Sequence, residues 1–371
     1  MAKNTPKNPQ QTVTLLLDDG IGRIANAFSK AISYERTPSF FDEEYIKERD
    51  EELRALQALK SDDIQLCIDR RDKPVVLTSY QSRIVHALSY AISREIETSE
   101  DVKKKVQDAT KGGNTIKRNV NITALTSLIF GSTRKRYKET IIREMFNLVK
   151  VRQIQVLGSG DNKIRLTAPL IMIGRTIEDL SEEKKNNLDY IEVYFGVAFF
   201  YELSTRFATI TPKLFEVWSK GGRGTELFST LLSSIFAVYW HYRQAANKAE
   251  EQTKEYYKTN KISKEELKEA IAKARRDAMT YELNVSTIKR KVTTNYDSNP
   301  NMKRKFWIDL QNAIDGFKEL DLIKDGIVLQ GAKGQEKVVF ILSESYNFAE
   351  KENNSHPLLG TEADSNEPTA F

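Results

Sequence analysis

Apolar positions along this chain recur first at a helical period and then at a strand period, and that succession occurs twice. The first round opens after Thr78 with a helical stripe of Ile84, Ala87, Leu88, Ala91 and Ile92. A short apolar segment follows behind Asn121, with Ile122, Leu125 and Ile129 at offsets 1, 4 and 8 from the asparagine. In the second round a long helix runs from Thr225, and Val285, Ile288 and Val292 stand at the same offsets from Asn284. Each asparagine is placed to cap its short helix, because its side-chain oxygen can accept from the unpaired amides of the first turn. The next helix has a basic start and an apolar stripe. After Ser132 come Arg134, Lys135, Arg136 and Lys138, with Tyr137, Ile141, Met145 and Leu148 spaced by 4, 4 and 3. After Asn299 come Lys303, Arg304 and Lys305, then Phe306, Leu310, Ala313, Phe317 and Leu320 spaced by 4, 3, 4 and 3.

A hairpin pattern closes each round. Residues 153–157 turn through the Gly-rich segment 158–162 into 163–166, and residues 327–330 turn through 331–334 into 337–342. A helix, a short capped helix, a helix with a basic start and a Gly-tipped hairpin, in that order, make a winged helix. The expected fold class is therefore α+β, predominantly helical, with two tandem winged-helix (helix-turn-helix plus β-hairpin) domains.

The remaining segments set the expected boundaries. Residues 1–12 read as a disordered arm and 13–71 as an N-terminal extension, with a short strand and helix over 13–34 and a heavily charged helix over 41–63. The first domain spans 72–175, and within it 97–119, rich in Lys, Gly, Asn and Thr, reads as a flexible loop. A polar linker covers 176–189, and the second domain covers 190–343, opened by a strand at 190–201. Its charged insert, 248–277, contains Ser263 followed by Glu266, a capping-box pair that predicts a helical hairpin. Residues 344–371 form an acidic tail, read as disordered.

Charge separates along the same boundaries. The 371-residue chain has a formal net charge of +5. From Glu344 onward there are six acidic residues and Lys351, a net of −5, so the rest carries +10 by subtraction. A basic body of that size matches phosphates electrostatically, although a soluble domain with excess lysine has the same sum. One cysteine, Cys67, supports neither a disulfide framework nor a multi-cysteine metal site, which points to a reducing, cytoplasmic setting. No apolar run approaches the roughly 18 residues of a membrane span, so no membrane partner is expected.

The sequence carries no catalytic signature. His86, His241 and His356 are isolated, so the paired His-x-His of rolling-circle nickases is absent, and His86 reads as a partly exposed packing residue. The glycines at 221, 222 and 224 lead into Thr225 and Glu226 without the lysine of a phosphate-binding loop, and mark a tight loop before a helix. Neither G-x-S-x-G nor a zinc-spaced Cys/His set occurs. The expectation is a binding protein with no enzymatic activity, cofactor or metal.

A winged helix puts its third helix in the major groove, where cations of the first turns reach phosphates and base edges. Arg134 and Arg136, and Arg304 with Lys303 and Lys305, are the candidates for base contacts, since the arginine fork matches the two acceptors of guanine. Lys135, Lys138, Lys289, Arg290 and Lys291 are better placed as phosphate clamps. Lys163 and Arg165 on the first wing, and Lys333 and Lys337 on the second, would follow the flanking backbone. A cationic helix start can also be merely solvated; its recurrence at the same place in the motif weakens that reading. Two such domains would cover roughly 20 base pairs of one duplex face.

These residues resemble the initiator (Rep) proteins of theta-replicating bacterial plasmids, whose core is two tandem winged helices. The resemblance covers about residues 72–345. It is most specific at Leu77-Thr-Ser-Tyr-Gln-Ser-Arg-Ile-Val-His-Ala-Leu88, which is similar to that family's opening helix. Residues 121–130, and Arg136-Tyr-Lys138 through Leu148, fall where the family has its second and third helices, and Thr167-Ala-Pro-Leu-Ile171 closes the first wing. The resemblance implies binding to directly repeated origin sites (iterons), opening of an adjacent AT-rich segment, recruitment of the host replication initiator and helicase machinery, homodimers through the first domain, and repression of the protein's own gene. The charged helix before residue 72, the insert and the acidic tail depart from the common core and leave dimer geometry and host contacts open, as well as a plasmid versus a phage or integrated-element origin. Two other readings share these features: a tandem winged-helix transcriptional regulator without a replication role, and a winged-helix scaffold that contacts only proteins.

Overall fold

Thr78 starts the first long helix with a complete capping box: its hydroxyl accepts from the Gln81 amide, and the Gln81 side chain accepts from the Thr78 amide. In the computed structural model, residues 15, 17, 21–32, 64–68, 73–74, 77–95, 104, 114–157, 164–174, 188–200, 203, 207–220, 223–258, 263–330 and 336–346 are described. The arm 1–12, the charged helix expected over 41–63, the linker residues 176–187, the tail beyond 346, Lys163 and Lys333 lie outside them.

The fold is α+β and predominantly helical. Its order is β1 (Gly22–Ala25), α1 (Asn26–Ile32), β2 (Ile64–Ile68), β3 (Lys73–Pro74), α2 (Ser79–Ser93), β4 (Asn114–Asn121), α3 (Ile122–Phe130), α4 (Lys135–Leu148), β5 (Val151–Leu157), β6 (Ile164–Pro169), β7 (Ile171–Ile173) and β8 (Tyr190–Gly196). Then come β9 (Phe207–Ile210), α5 (Pro212–Ser219), α6 (Glu226–Lys258), α7 (Lys264–Ala278), β10 (Thr280–Asn284), α8 (Val285–Arg290), α9 (Pro300–Glu319), β11 (Ile323–Gln330) and β12 (Glu336–Leu342). The strand and helix expected near 13–34 are β1 and α1. The insert forms the expected helical hairpin of α6 and α7, with the Ser263–Glu266 capping box in place.

The two rounds differ in how their sheets close. In the second, β10, ahead of the short helix, pairs directly with the outer hairpin strand, giving the antiparallel order β10-β12-β11. In the first, β5 and β6 form the hairpin and Leu170 bends the chain into β7, which reaches β4 only through β8, giving the order β4-β8-β7. This corrects two expectations. Residues 114–119 belong to β4 instead of a flexible loop, because β8 supplies the pairing partner that their polar composition does not advertise. The strand near 190 exists, but it completes the first round's sheet, with Val193 opposite both Arg118 and Ile173.

The N-terminal extension is shared by both rounds. β1 pairs antiparallel with β9, α1 packs on α6, and β2 adds to the outside of β5 in the order β3-β2-β5-β6. The buried apolar residues form one continuous core running through both rounds. At its centre stands α2, buried at every position from Ser82 to Ser93 and packed against β1, α3, α4 and α6.

His86 is fully buried, which corrects its reading as a partly exposed residue. Its ring lies 5.3 Å from Trp218 and 6.1 Å from Phe236. Nδ1 is 2.7 Å from the Ser82 carbonyl oxygen and therefore carries the proton, which leaves Nε2 buried without a partner among the described residues. Arg83 crosses the same seam: its guanidinium donates to the Trp218 carbonyl at 2.9 Å, and burial pushes it down to about 10.

Two stability predictions come from this seam. Burial pushes His86 down to about 4 from an ordinary 6.5, so the unfolded chain takes up the proton first as pH falls. The contribution of the neutral imidazole is intact above about pH 6.5 and is lost progressively toward pH 4, by up to about 3 kcal/mol. Urea unfolding across that range is expected to show the loss in the wild type and a flatter profile in His86→Leu. At Gly22, where β1 crosses α2, a methyl would collide with the Tyr90 carbonyl oxygen and Cα. Gly22→Ala should therefore lower the unfolding free energy by about 1–3 kcal/mol, read from the shift of the urea midpoint.

Candidate nucleic-acid interface

The basic start of α4 is built by the turn before it. Asn121 caps α3 by accepting from the Ala124 amide at 2.8 Å, and Gly131, at φ 61°, ends α3 in the left-handed conformation that glycine adopts without strain. Arg134 then occupies the N-cap of α4, and no side chain caps it. The helix is anchored from behind by Ile141, Ile142, Met145 and Leu148, and by Glu144, which accepts from Gln81 of α2 at 3.1 Å. Arg134, Lys135 and Arg136 are exposed at a helix end where the dipole and free amides already favour an anion. Arg134 has no ion-pair partner among the described residues, and Lys135 lies 4.0 Å from Glu139. Lys138 is half-buried and 3.6 Å from Asp189.

An aromatic ladder fixes Arg136. Its guanidinium lies 4.7 Å over the Tyr137 ring, which stacks on Phe130 at 4.6 Å and 9°, and Phe130 meets Tyr80 at 5.7 Å. Tyr80, 42% exposed at the start of α2, is not singled out by the sequence pattern. Its position in the stretch from Leu77 to Leu88 is the available signal.

In the second round the turn between α8 and α9 is tied at both ends. Glu226, the first residue of α6, accepts from the Thr293 amide at 2.7 Å and its hydroxyl at 2.6 Å. Tyr296 donates at 2.8 Å to Asp309, a buried carboxylate that also accepts from Lys305 at 2.5 Å. Asn299 caps α9 through the Met302 amide at 3.0 Å, with Pro300 at the first helical position. Asn284 occupies the N-cap of α8, but its side chain makes no capping bond, unlike Asn121.

This framework sorts the second round's cations. Lys303 and Arg304 are exposed and have no partner among the described residues. Lys305 is offset by Asp309. Lys289 pairs with Asp297 at 2.6 Å and lies 5.1 Å over the Phe306 ring, so its charge is largely spent within the protein. Arg290 and Lys291 are half-buried, with Arg290 donating to Thr287 at 3.2 Å, and Lys337 lies 3.3 Å from Glu282 on the neighbouring strand. Arg165 falls in β6, opposite Val156. The sequence pattern also leaves out the outer face of α9, where Asn301, Arg304, Ile308 and Gln311 are all exposed or partly so. Arg143 is exposed on α4 in the same way.

No protein-family model and no curated protein matches the chain. No helix among the described residues is long and apolar enough to cross a membrane.

The Tyr296–Asp309 bond gives a direct test of how this site is held. Tyr296→Phe removes a donor from a buried carboxylate and is expected to cost about 1–3 kcal/mol of unfolding free energy, measured by urea titration. Phe306 and Leu310 remain to hold α9 in place, so far-ultraviolet circular dichroism should be unchanged.

Proposed function

We propose that this chain is a sequence-specific double-stranded DNA-binding protein of two tandem winged helices that initiates replication at repeated origin sites. The observation that carries the reading is the repetition itself: a core-anchored third helix with a solvated cationic start, Arg134 to Arg136 in one round and Lys303 with Arg304 in the other. The element order α6-α7-β10-α8-α9-β11-β12 and the sheet order β10-β12-β11 support the winged-helix reading of the second round, with α7 as an insertion. The order α2-β4-α3-α4-β5-β6 supports it for the first. In this reading α4 and α9 enter successive major-groove segments, and the hairpins β5-β6 and β11-β12 flank them on the backbone. The protein acts by binding, without chemistry of its own. Its roles in opening the adjacent segment, engaging host initiator and helicase machinery, dimerising through the first domain and repressing its own gene follow from the resemblance to plasmid initiators.

The test is a gel-shift titration at several salt concentrations, comparing DNA upstream of the protein's own gene with a random duplex of equal length. A ladder of shifted species on the upstream DNA is expected. With 6 to 10 phosphate contacts, the log-log salt slope should be roughly −5 to −9. Arg134→Ala and Arg304→Ala should each weaken binding about tenfold or more, whereas Lys289→Ala, already paired with Asp297, should change it little. A single palindromic site would favour a transcriptional regulator, and no DNA preference at any salt would leave only the protein-binding scaffold.

A further inference from the structure

Helix α9 has two opposed faces. Phe306, Leu310, Ala313 and Phe317 point into the core, and opposite them Asn301, Arg304, Ile308 and Gln311 project outward, separated by three or four residues. Ile308 is 52% exposed although Phe306 and Leu310, two positions to either side of it, are buried. It is therefore not a core residue at a loose edge. Scattered exposed aliphatic residues are ordinary on protein surfaces; what distinguishes Ile308 is the company it keeps. Of its neighbours on that face, Asn301 carries an amide and Arg304 a guanidinium, the groups that pair with the edges of adenine and guanine; Arg304, one turn away, is unpartnered among the described residues, whereas the Gln311 amide donates to Asp315 at 2.9 Å.

We infer that Ile308 reads a thymine methyl group in the major groove. This rests on the DNA-binding reading above. An isoleucine placed between hydrogen-bonding side chains and pressed on a base edge would strand whatever donor or acceptor it covered. The C5 methyl of thymine is the one apolar group the major groove presents, so it is the group such a side chain can cover without that cost. The polarity of the helix agrees: Asn301, Arg304 and Ile308 lie in its N-terminal half, the half that enters the groove, and the acidic Asp315 lies at the far end of the same face. The outer face of α4 carries Arg136 and Arg143 with Thr140 between them, and no aliphatic side chain, so this form of reading belongs to the second round.

The experiment does not require the site to be mapped. The upstream duplex is synthesised once with thymidine and once with deoxyuridine, which removes every methyl and keeps every hydrogen-bonding group. Full-length wild type and Ile308→Ala are titrated on both by fluorescence anisotropy at fixed salt. The wild type is expected to bind the uridine duplex about fourfold more weakly for each methyl it contacts, the ratio that one buried methyl corresponds to. Ile308→Ala is expected to bind the thymidine duplex as weakly as the wild type binds the uridine one, and to lose the difference between duplexes; Ile308→Val should keep most of it. Equal wild-type affinity for the two duplexes, or the same discrimination in Ile308→Ala, overturns the inference while DNA binding stands. Failure of the wild type to bind either duplex overturns the DNA-binding reading, and this inference with it.

Discussion

Everything else in this fold leans on α2, a helix that has no solvent face beyond its first turn. From Ser82 to Ser93 every residue is buried, yet the sequence is not uniformly apolar: Ser82, Arg83, His86, Ser89 and Ser93 are interleaved with Ile84, Val85, Ala87, Leu88 and Ile92. Small hydroxyl and methyl side chains let neighbouring elements approach closely, and β1 comes near enough at Gly22 that no Cβ fits there. The cost is polar atoms without partners among the described residues, including the hydroxyls of Ser82 and Ser89, Nε of Arg83 and Nε2 of His86. A helix interior desolvates such groups at about 1–3 kcal/mol each when they find no bond, so the aliphatic burial around them has to outweigh that loss.

That central helix also ties the two rounds into one body. α2 packs on α3 and α4 of the first round and on α6 of the second, while Arg83 bonds the Trp218 carbonyl and Ser79 bonds that of Gly224. The strand pair β1-β9 and the docking of Tyr346 on the Thr209 carbonyl add connections of the same kind. The relative placement of α4 and α9 is therefore a property of the packed core and does not depend on the length of the segment joining the rounds. For two helices that enter one duplex, such a core would fix the spacing and phase of the two contacted segments, and a site with altered spacing would have to bend or lose one of them.

The elements that the sequence declares are those whose signals are local. The stripes in α4 and α9, the hydrophobic offsets after Asn121 and Asn284, the Ser263 capping box and the alternation in both hairpins all concern residues within a few positions of one another. The partners of a strand are not local. Nothing in the polar stretch before Asn121 signals that Ile191, Val193 and Phe195 lie beside it, and nothing at those three residues distinguishes the end of one sheet from the start of another. The burial of His86 is hidden for a related reason: one face of α2 is visible as a stripe, but the covering of the other face depends on Trp218 and Phe236, far along the chain. At the candidate interface, charge is legible and its neutralisation is not. Lys289 and Lys305 have the same composition signal as Lys303, and only Asp297 and Asp309, brought close by folding, set them apart.

The two candidate reading helices consequently differ more than their shared pattern suggests. The start of α4 combines an uncapped end, two exposed cations and an Arg136 guanidinium braced on stacked Tyr137 and Phe130, and its outer face continues with charged and hydroxyl side chains. Such a surface gains most from phosphates, which attract it from a distance and carry no sequence information. The start of α9 has its Met302 amide occupied by the Asn299 side chain and its third cation spent on Asp309, so less of its charge is available to the backbone. What it presents instead is a set of short-range chemistries, amide, guanidinium and aliphatic, on one rigid face held by the Tyr296–Asp309 and Thr293–Glu226 bonds. Rigidity matters more for such contacts than for Coulomb attraction, because a hydrogen bond or a methyl contact is lost within about an ångström while an ionic attraction is not. On the DNA-binding reading proposed above, this division of labour would place most of the affinity in the first round and most of the discrimination in the second.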